Sequence, residues 1–288
     1  MDPYLYCLIS TYVPAHVKIL TFLAGGKLLK EERDGKTYAN GVLHSFDDKP
    51  AVINDSDYSI WYKLGKIHRD GDKPAIIGRT GTQEWRRNGL RHRENDLPAV
   101  IYASGCQLWF RNGRNHRDGD KPAAIFTNGI SIWCRNGLRH RDGDEPAIVG
   151  KDGKLEWYQN DNLHRNGDLP AVIEADGTKK WYQNGKLHRD GDLPAVIRKD
   201  GTREWYRDGV LYRDNDLPAI IRRKGTRVWY QNGKVHRDGD LPAVIWYDGT
   251  QEWCQNGKRH RDGDLPAVIW PDGTRHWYIR GERIRVIK

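Results

Sequence analysis

A histidine and an aspartate two residues apart recur along this chain, as in His188-Arg189-Asp190, with a second acid, Asp192, close behind. An imidazole beside a carboxylate can pass a proton in acid–base catalysis. A histidine can also hold zinc, and paired carboxylates can hold calcium. Three chemistries are therefore open at the outset, and spacing decides among them.

The repeated histidines stand at 44, 68, 92, 116, 140, 164, 188, 236 and 260, with Tyr212 in the vacant place. One imidazole every 24 residues cannot converge on one tetrahedron, because a two-stranded unit advances by about 10 Å. The expectation is an imidazole packed on a neighbouring indole and hydrogen-bonded to an acid or a carbonyl. The aspartates at 48, 72, 96, 120, 144, 168, 192, 216, 240 and 264 are unbroken. They are expected to fold onto backbone N–H groups at a corner. Calcium, shared with Asp190, is the second reading. Arg189 would compete for the charge, and the run lacks the alternating acids and closing Glu of a calcium loop. His-Arg-Asp also occurs in the protein-kinase catalytic loop, but the partner motifs of that machinery are missing. Asp161 in place of a turn glycine and Tyr212 in place of histidine are isolated departures. No catalytic, cofactor-binding or metal-binding residues are assigned, and the chain is expected not to be an enzyme.

These residues sit in a repeat. Trp stands at 61, 85, 109, 133, 157, 181, 205, 229, 253 and 277, and Pro from 50 to 266 keeps the same 24-residue step. Such a period means a stacked array whose units contact mainly their neighbours. Residues 1–36 are expected to form an N-terminal cap, with strand-like apolar residues at 4–13 and an apolar-then-basic run at 17–30. Residues 37–276 make ten units, the first worn, with Thr37 in the Trp place. Residues 277–288 are a half-unit and cap.

Turn chemistry cuts each unit into strands. Asn184-Gly185 and Asp200-Gly201 are both two-residue hairpin signals, and the corner at Gly191 accepts only Gly or Asn (Asp47 in the worn unit), which points to left-handed backbone. A two-residue turn at Asn184-Gly185 sets Tyr182 opposite Leu187. Where Tyr gives way to Arg86, Phe110, Cys134 or Cys254, the partner becomes Arg91, Asn115, Arg139 or Arg259, so the two columns behave as one contact. Trp181 then faces His188 on the other side. The Trp/His face is expected to be the interior and the Tyr/Leu face the more exposed one. Which of Val196 and Ile197 joins the Trp layer stays open. The fold class is all-β, an elongated solenoid of about ten stacked hairpins, roughly 100 Å long.

Twelve Trp and fourteen Tyr argue against disorder despite the high charge. A net charge of +9 spread through the repeats makes a mildly basic surface. Four cysteines are too few for a disulfide framework, and Cys134 and Cys254, five units apart, would lie about 50 Å from each other. A reducing compartment is expected. The first residues do not read as an export signal or as a membrane span.

The pattern WYxNGKLHRDGDLPAVIxxDGT resembles the MORN family of short repeats, departing from it in its 24-residue length, in Arg after His and in the added DLPA. It is similar to the 24-residue MORN-like arrays of giant DNA viruses related to mimivirus. The resemblance covers residues 37–283. It implies a structural protein, a scaffold or docking surface, in a host cytoplasm or a virion, and carries over no catalytic residue. The expected function is protein–protein interaction or structural self-assembly, with nucleic acid or anionic lipid as the alternative partner through the basic face. Partner binding is assigned to the varied face, at Arg86, Arg91, Phe110, Asn115, Arg139 and Arg259.

Overall fold

The computed structural model describes residue 28 and residues 30–54 and 58–288. The strand-like reading at 4–13 and most of the apolar-then-basic run at 17–30 lie outside them. The described residues form strands and turns, with no helix, as the short turn-punctuated segments require.

Each unit folds into two hairpins. In the first, Asn184 and Gly185 both take left-handed backbone (φ +49° and +79°), the geometry that matches the twist of paired strands. Tyr182–Gln183 pairs with Lys186–Leu187, with Tyr182 opposite Leu187. The same register holds in all ten units, from Tyr38 opposite Leu43 to Cys254 opposite Arg259. The half-unit at the end is distorted by a bulge between Trp277 and Tyr278, yet still pairs Tyr278 with Arg283.

The second hairpin corrects an expectation. Val196–Ile197 pairs with Arg203–Glu204, but the Asp-Gly turn between them is not a two-residue turn. Arg198 N–H donates to Thr202 O (2.9 Å) and Gly201 N–H donates to Arg198 O (2.9 Å), which closes a three-residue loop with only Gly201 left-handed. The Asp200 carboxylate accepts the Thr202 N–H at 2.8 Å, but the loop does not depend on it, since Lys224-Gly225 closes in the same form, Arg222 N–H donating to Thr226 O at 2.9 Å.

Arg203–Glu204 then pairs with Ile220–Ile221 of the following unit, so these hairpins fuse into one antiparallel sheet. Its 21 strands run in chain order from Val52–Ile53 to Glu282–Ile287. The first strand pairs only with Tyr58–Ile60 and the last only with Arg275–Ile279, so the sheet is open. The Tyr/Leu hairpins stay separate and stack through single bonds such as Gly209 N–H to Leu187 O at 2.9 Å. Trp joins the two layers, since Trp181 N–H donates to Ala195 O (2.8 Å) and Trp181 O accepts from His188 N–H (3.1 Å).

Burial assigns the faces. The Ala residue beside each Trp, Ala195 in this unit, is fully buried from Ala51 to Ala267. Neither Val196 nor Ile197 shares the Trp layer as its principal member; Ala195 does. Val196 is buried and faces Glu204 across the strand pair, on the Tyr side. The Tyr/Leu face is half-buried, more exposed than the buried Trp line, although Asn115, Cys134, Tyr158 and Cys254 on it are buried outright. On the Tyr/Leu side the side chains of the two layers meet, as Tyr206 on Glu204 and Arg259 on Glu252 do, and both layers line one cavity there, so this is the concave side.

The corner at Gly191 is left-handed in every form it takes: φ is +74° at Gly191, +58° at Asn95, +59° at Asn215 and +51° at Asp47. Gly191→Asn is expected to change stability by under about 0.5 kcal/mol, whereas Gly191→Val costs about 1–2 kcal/mol. Urea denaturation of the two variants checks this.

Candidate groove and the lattice that frames it

The constant polar residues bind units to one another. The Arg189 guanidinium lies over the Trp181 ring at 3.9 Å. Its Nε and Nη2 donate to the two carboxylate oxygens of Asp168 in the preceding unit, at 2.7 and 2.9 Å, and its Nη1 donates to Pro194 O. Trp181 Nε1–H donates to the main-chain oxygen of the same Asp168 at 3.0 Å. The stack of Arg on Trp recurs at all ten tryptophans of the column, Trp61 to Trp277, at 3.7–4.0 Å, and so does the ion pair to the earlier Asp. The aspartates therefore do not cap backbone N–H groups at the corner, as expected from sequence. A charged, planar, bidentate donor one unit on outcompetes a neutral amide for the carboxylate. The arginine hydrogen bonds hold the nine carboxyls of this column from Asp48 to Asp240 below the usual range, Asp96 down to about 2 through Arg117 and then Lys121.

The histidines are stitches as well. Nδ1 of each of the nine accepts the backbone N–H of the next unit's turn, as in Asp208 N–H to His188 at 3.2 Å. A backbone N–H only donates, so Nδ1 is unprotonated and Nε2 carries the proton. In seven of them Nε2 then donates to the acid two residues on, 3.0 Å away at Asp190, and His164 donates to the Asn166 amide oxygen instead. Tyr212 keeps the acid contact, its Oη–H donating to Asp214 at 2.6 Å, but its side chain has no second polar atom to accept the next unit's N–H. Among the described residues no three His, Cys, Asp or Glu side chains gather as a metal-ligand set.

On the concave face the residues vary together. The place before Trp holds a half-buried or buried glutamate in four units, and each finds its partners across that face. Glu84 takes Arg86 and Arg91, and Glu252 takes Arg259 at 2.9 Å and Trp246 Nε1–H at 2.8 Å. Glu156 takes Tyr158 Oη–H at 3.1 Å and Lys154, and Glu204 takes Tyr206 Oη–H and Arg198. Where the place is apolar, as at Leu108, an apolar cluster forms with Val100 and Ala124, and Phe110 packs against it.

Of the six residues assigned from sequence to a partner, all four arginines have in-fold counter-ions: Arg86 and Arg91 on Glu84, Arg259 on Glu252 and Arg139 on Asp161. Arg139 pairs with Asp161 and lies 4.1 Å from the Tyr158 ring centroid. Asn115 is buried, with Nδ2 donating to Trp109 O (3.0 Å) and Ala123 O (3.3 Å). Phe110 is half-buried. They do not form one exposed patch.

Asn115 and Arg139 do share a cavity of about 790 Å³ on the concave face, largely apolar in lining, with Leu108, Ile132, Cys134, Gly150 and Tyr158. Sequence reasoning missed its extent, although a signal was present. The threonine of the Asp-Gly-Thr turn, constant from Thr178 to Thr274, becomes Cys106, Ile130 and Lys154 in these same units. Those substitutions coincide with the loss of Tyr at 110 and 134 and of Leu at 115 and 139. Burial pushes the Cys134 thiol up to about 12, so it is a packing group there and not a thiolate nucleophile.

No protein-family model matches the chain. No curated protein matches it significantly either. Among the described residues no helix is long and apolar enough to cross a membrane.

Proposed function

We propose that the chain is a non-enzymatic repeat scaffold that mediates protein–protein interaction or structural assembly, with a partner polypeptide seated in the concave groove. One observation carries this reading: the units that leave the repeat pattern in several columns at once are the units that line the 790 Å³ cavity. The constant residues are committed to neighbouring units, so specialisation is left to the concave columns. The likeness of the repeat to MORN-like arrays of giant DNA viruses fits the same reading and favours a virion or host cytoplasm as its setting.

The second reading is binding of nucleic acid or anionic lipid, favoured by the exposed run Arg222, Arg223 and Lys224. The two separate by mutation. On the scaffold reading, immobilised chain captures a discrete polypeptide from extracts of its source, Cys134→Tyr loses it, and Arg223→Glu with Lys224→Glu keeps it. Capture that survives Cys134→Tyr, falls with the charge reversal and weakens steeply with salt would support the polyanion instead.

A further inference from the structure

We propose that the groove at Cys134 receives one aromatic side chain of the partner polypeptide, a tryptophan above all, whose ring fills a missing rung between Phe110 and Tyr158 and whose N–H donates to Asn115 Oδ1. This deepens the scaffold reading and rests on it.

The missing ring is visible in the repeat. The concave face carries an aromatic in the Tyr column of most units, Phe110 and Tyr158 included, but Cys134 between them offers only a thiol. Cys254 makes the same substitution and is compensated. The places after the Val-Ile strand on either side of it hold Trp246, bonded to Glu252 at 2.8 Å, and Trp270, whose ring centroid is 4.3 Å from that of His276. The equivalent places beside Cys134 hold Phe126 and Gly150, so one side has no side chain at all. The cavity lies at that place.

Asn115 supplies the independent sign of a ligand. It lines the cavity and is 5% exposed. Its Nδ2 is spent on Trp109 O and Ala123 O, which fixes the orientation of the amide. Oδ1 is buried and has no hydrogen-bond partner among the described residues. A buried acceptor without a donor is unfavourable, and an occupant that brings an N–H or O–H relieves it. Charge selects further. Arg139 is paired with Asp161, and Lys154 with Glu156 and Glu174, so the lip is balanced and suits a neutral ring over a phosphorylated or nucleotide one. A cavity of this size holds more than a bare ring, leaving room for the backbone that carries it.

The test titrates the full chain by calorimetry with capped Gly-Trp-Gly, its 1-methyltryptophan analogue, capped Gly-Leu-Gly and free indole. The tryptophan peptide is expected to bind at least about ten-fold more tightly than the leucine peptide or indole, and N-methylation to weaken it about ten-fold by removing the donor. Cys134→Tyr, which restores the ring the column usually carries, abolishes binding. Cys134→Ser, which leaves the space open, retains it. Asn115→Leu erases the difference between the indole and its methylated form. Equal binding of leucine, equal binding of indole alone, or binding undiminished in a folded Cys134→Tyr chain would each overturn the proposal. The two readings fail separately. A partner still captured by a chain that ignores every aromatic peptide removes the subsite and leaves the scaffold. A chain that binds the tryptophan peptide but captures no polypeptide removes the scaffold.

Discussion

Trp181→Ala lowers the free energy of unfolding by about 3–5 kcal/mol, the range for emptying a large aromatic site. The indole is 7% exposed, lies among the fully buried alanines and carries Arg189 on its outer face. Removing it leaves a void, frees the guanidinium from its stacking surface and strips the Nε1–H from Asp168 O. The damage crosses the boundary between units, because Asp168 belongs to the preceding one. Trp181→Phe keeps most of the apolar contact and loses the donor, and should cost about 1–3 kcal/mol. Urea denaturation followed by circular dichroism tests both. In an array held by nearest-neighbour contacts the alanine variant should also broaden or split the transition, since the units on either side can unfold apart. A single sharp transition shifted by less than 1 kcal/mol would mean that the Trp line does not bear the stack.

The second large effect is loss of stability in acid, in two stages of different origin. The His44 and His116 imidazoles are held below the ordinary histidine value, first by burial and then by nearby Lys63 for His44 and by Arg111 and Arg135 for His116. A base that resists protonation in the fold leaves the unfolded chain to take up the proton first. Their contribution is complete above about pH 6.5 and is lost as pH falls from there through the folded values. Protonation at Nδ1 also removes the acceptor for the next unit's turn N–H. The clamp aspartates act lower. Arg hydrogen bonds depress Asp72, Asp96, Asp168 and Asp216, among others. Their contribution is present above the unfolded value near 3.8 and disappears as pH falls through the depressed folded values. Melting temperature against pH should therefore decline gently below 6.5 and steeply below 4. The steep part shrinks if salt already screens these half-exposed pairs. A melting temperature flat from pH 7 to 3 would contradict the ion-pair lattice.

Much of the fold could be read from spacing because turn residues carry conformation locally. Asn184-Gly185 dictates its hairpin, and the exchange of Tyr and Leu for Arg86 and Arg91 shows which strand positions touch. The Asp-Gly turn reads as a two-residue turn because Asp200 and Asn184 are alike as turn formers, yet the residue before Gly does not decide the loop: Lys224-Gly225 closes in the same three-residue form as Asp200-Gly201. The clamp was hidden for a different reason. Arg189, Asp168 and Asp192 hardly vary between units, and constant columns cannot reveal which of two identical aspartates an arginine reaches. Stacking one unit on the next places the carboxylate 21 residues back, and not the one three residues on, against the guanidinium. The groove was half legible. Asn115 and Arg139 stood out as single departures, whereas Cys106, Ile130, Lys154 and Gly150 gain meaning only when several columns are laid side by side on one concave face.

A double-mutant cycle on Arg189→Met tests whether the repeat's most constant charges serve the junctions between units. Combined with Asp168→Asn of the preceding unit, it should show a coupling energy of about 0.5–1 kcal/mol; combined with Asp192→Asn of its own unit, none. Coupling to Asp192 with none to Asp168 would place the arginine inside its own unit and contradict the lattice described here.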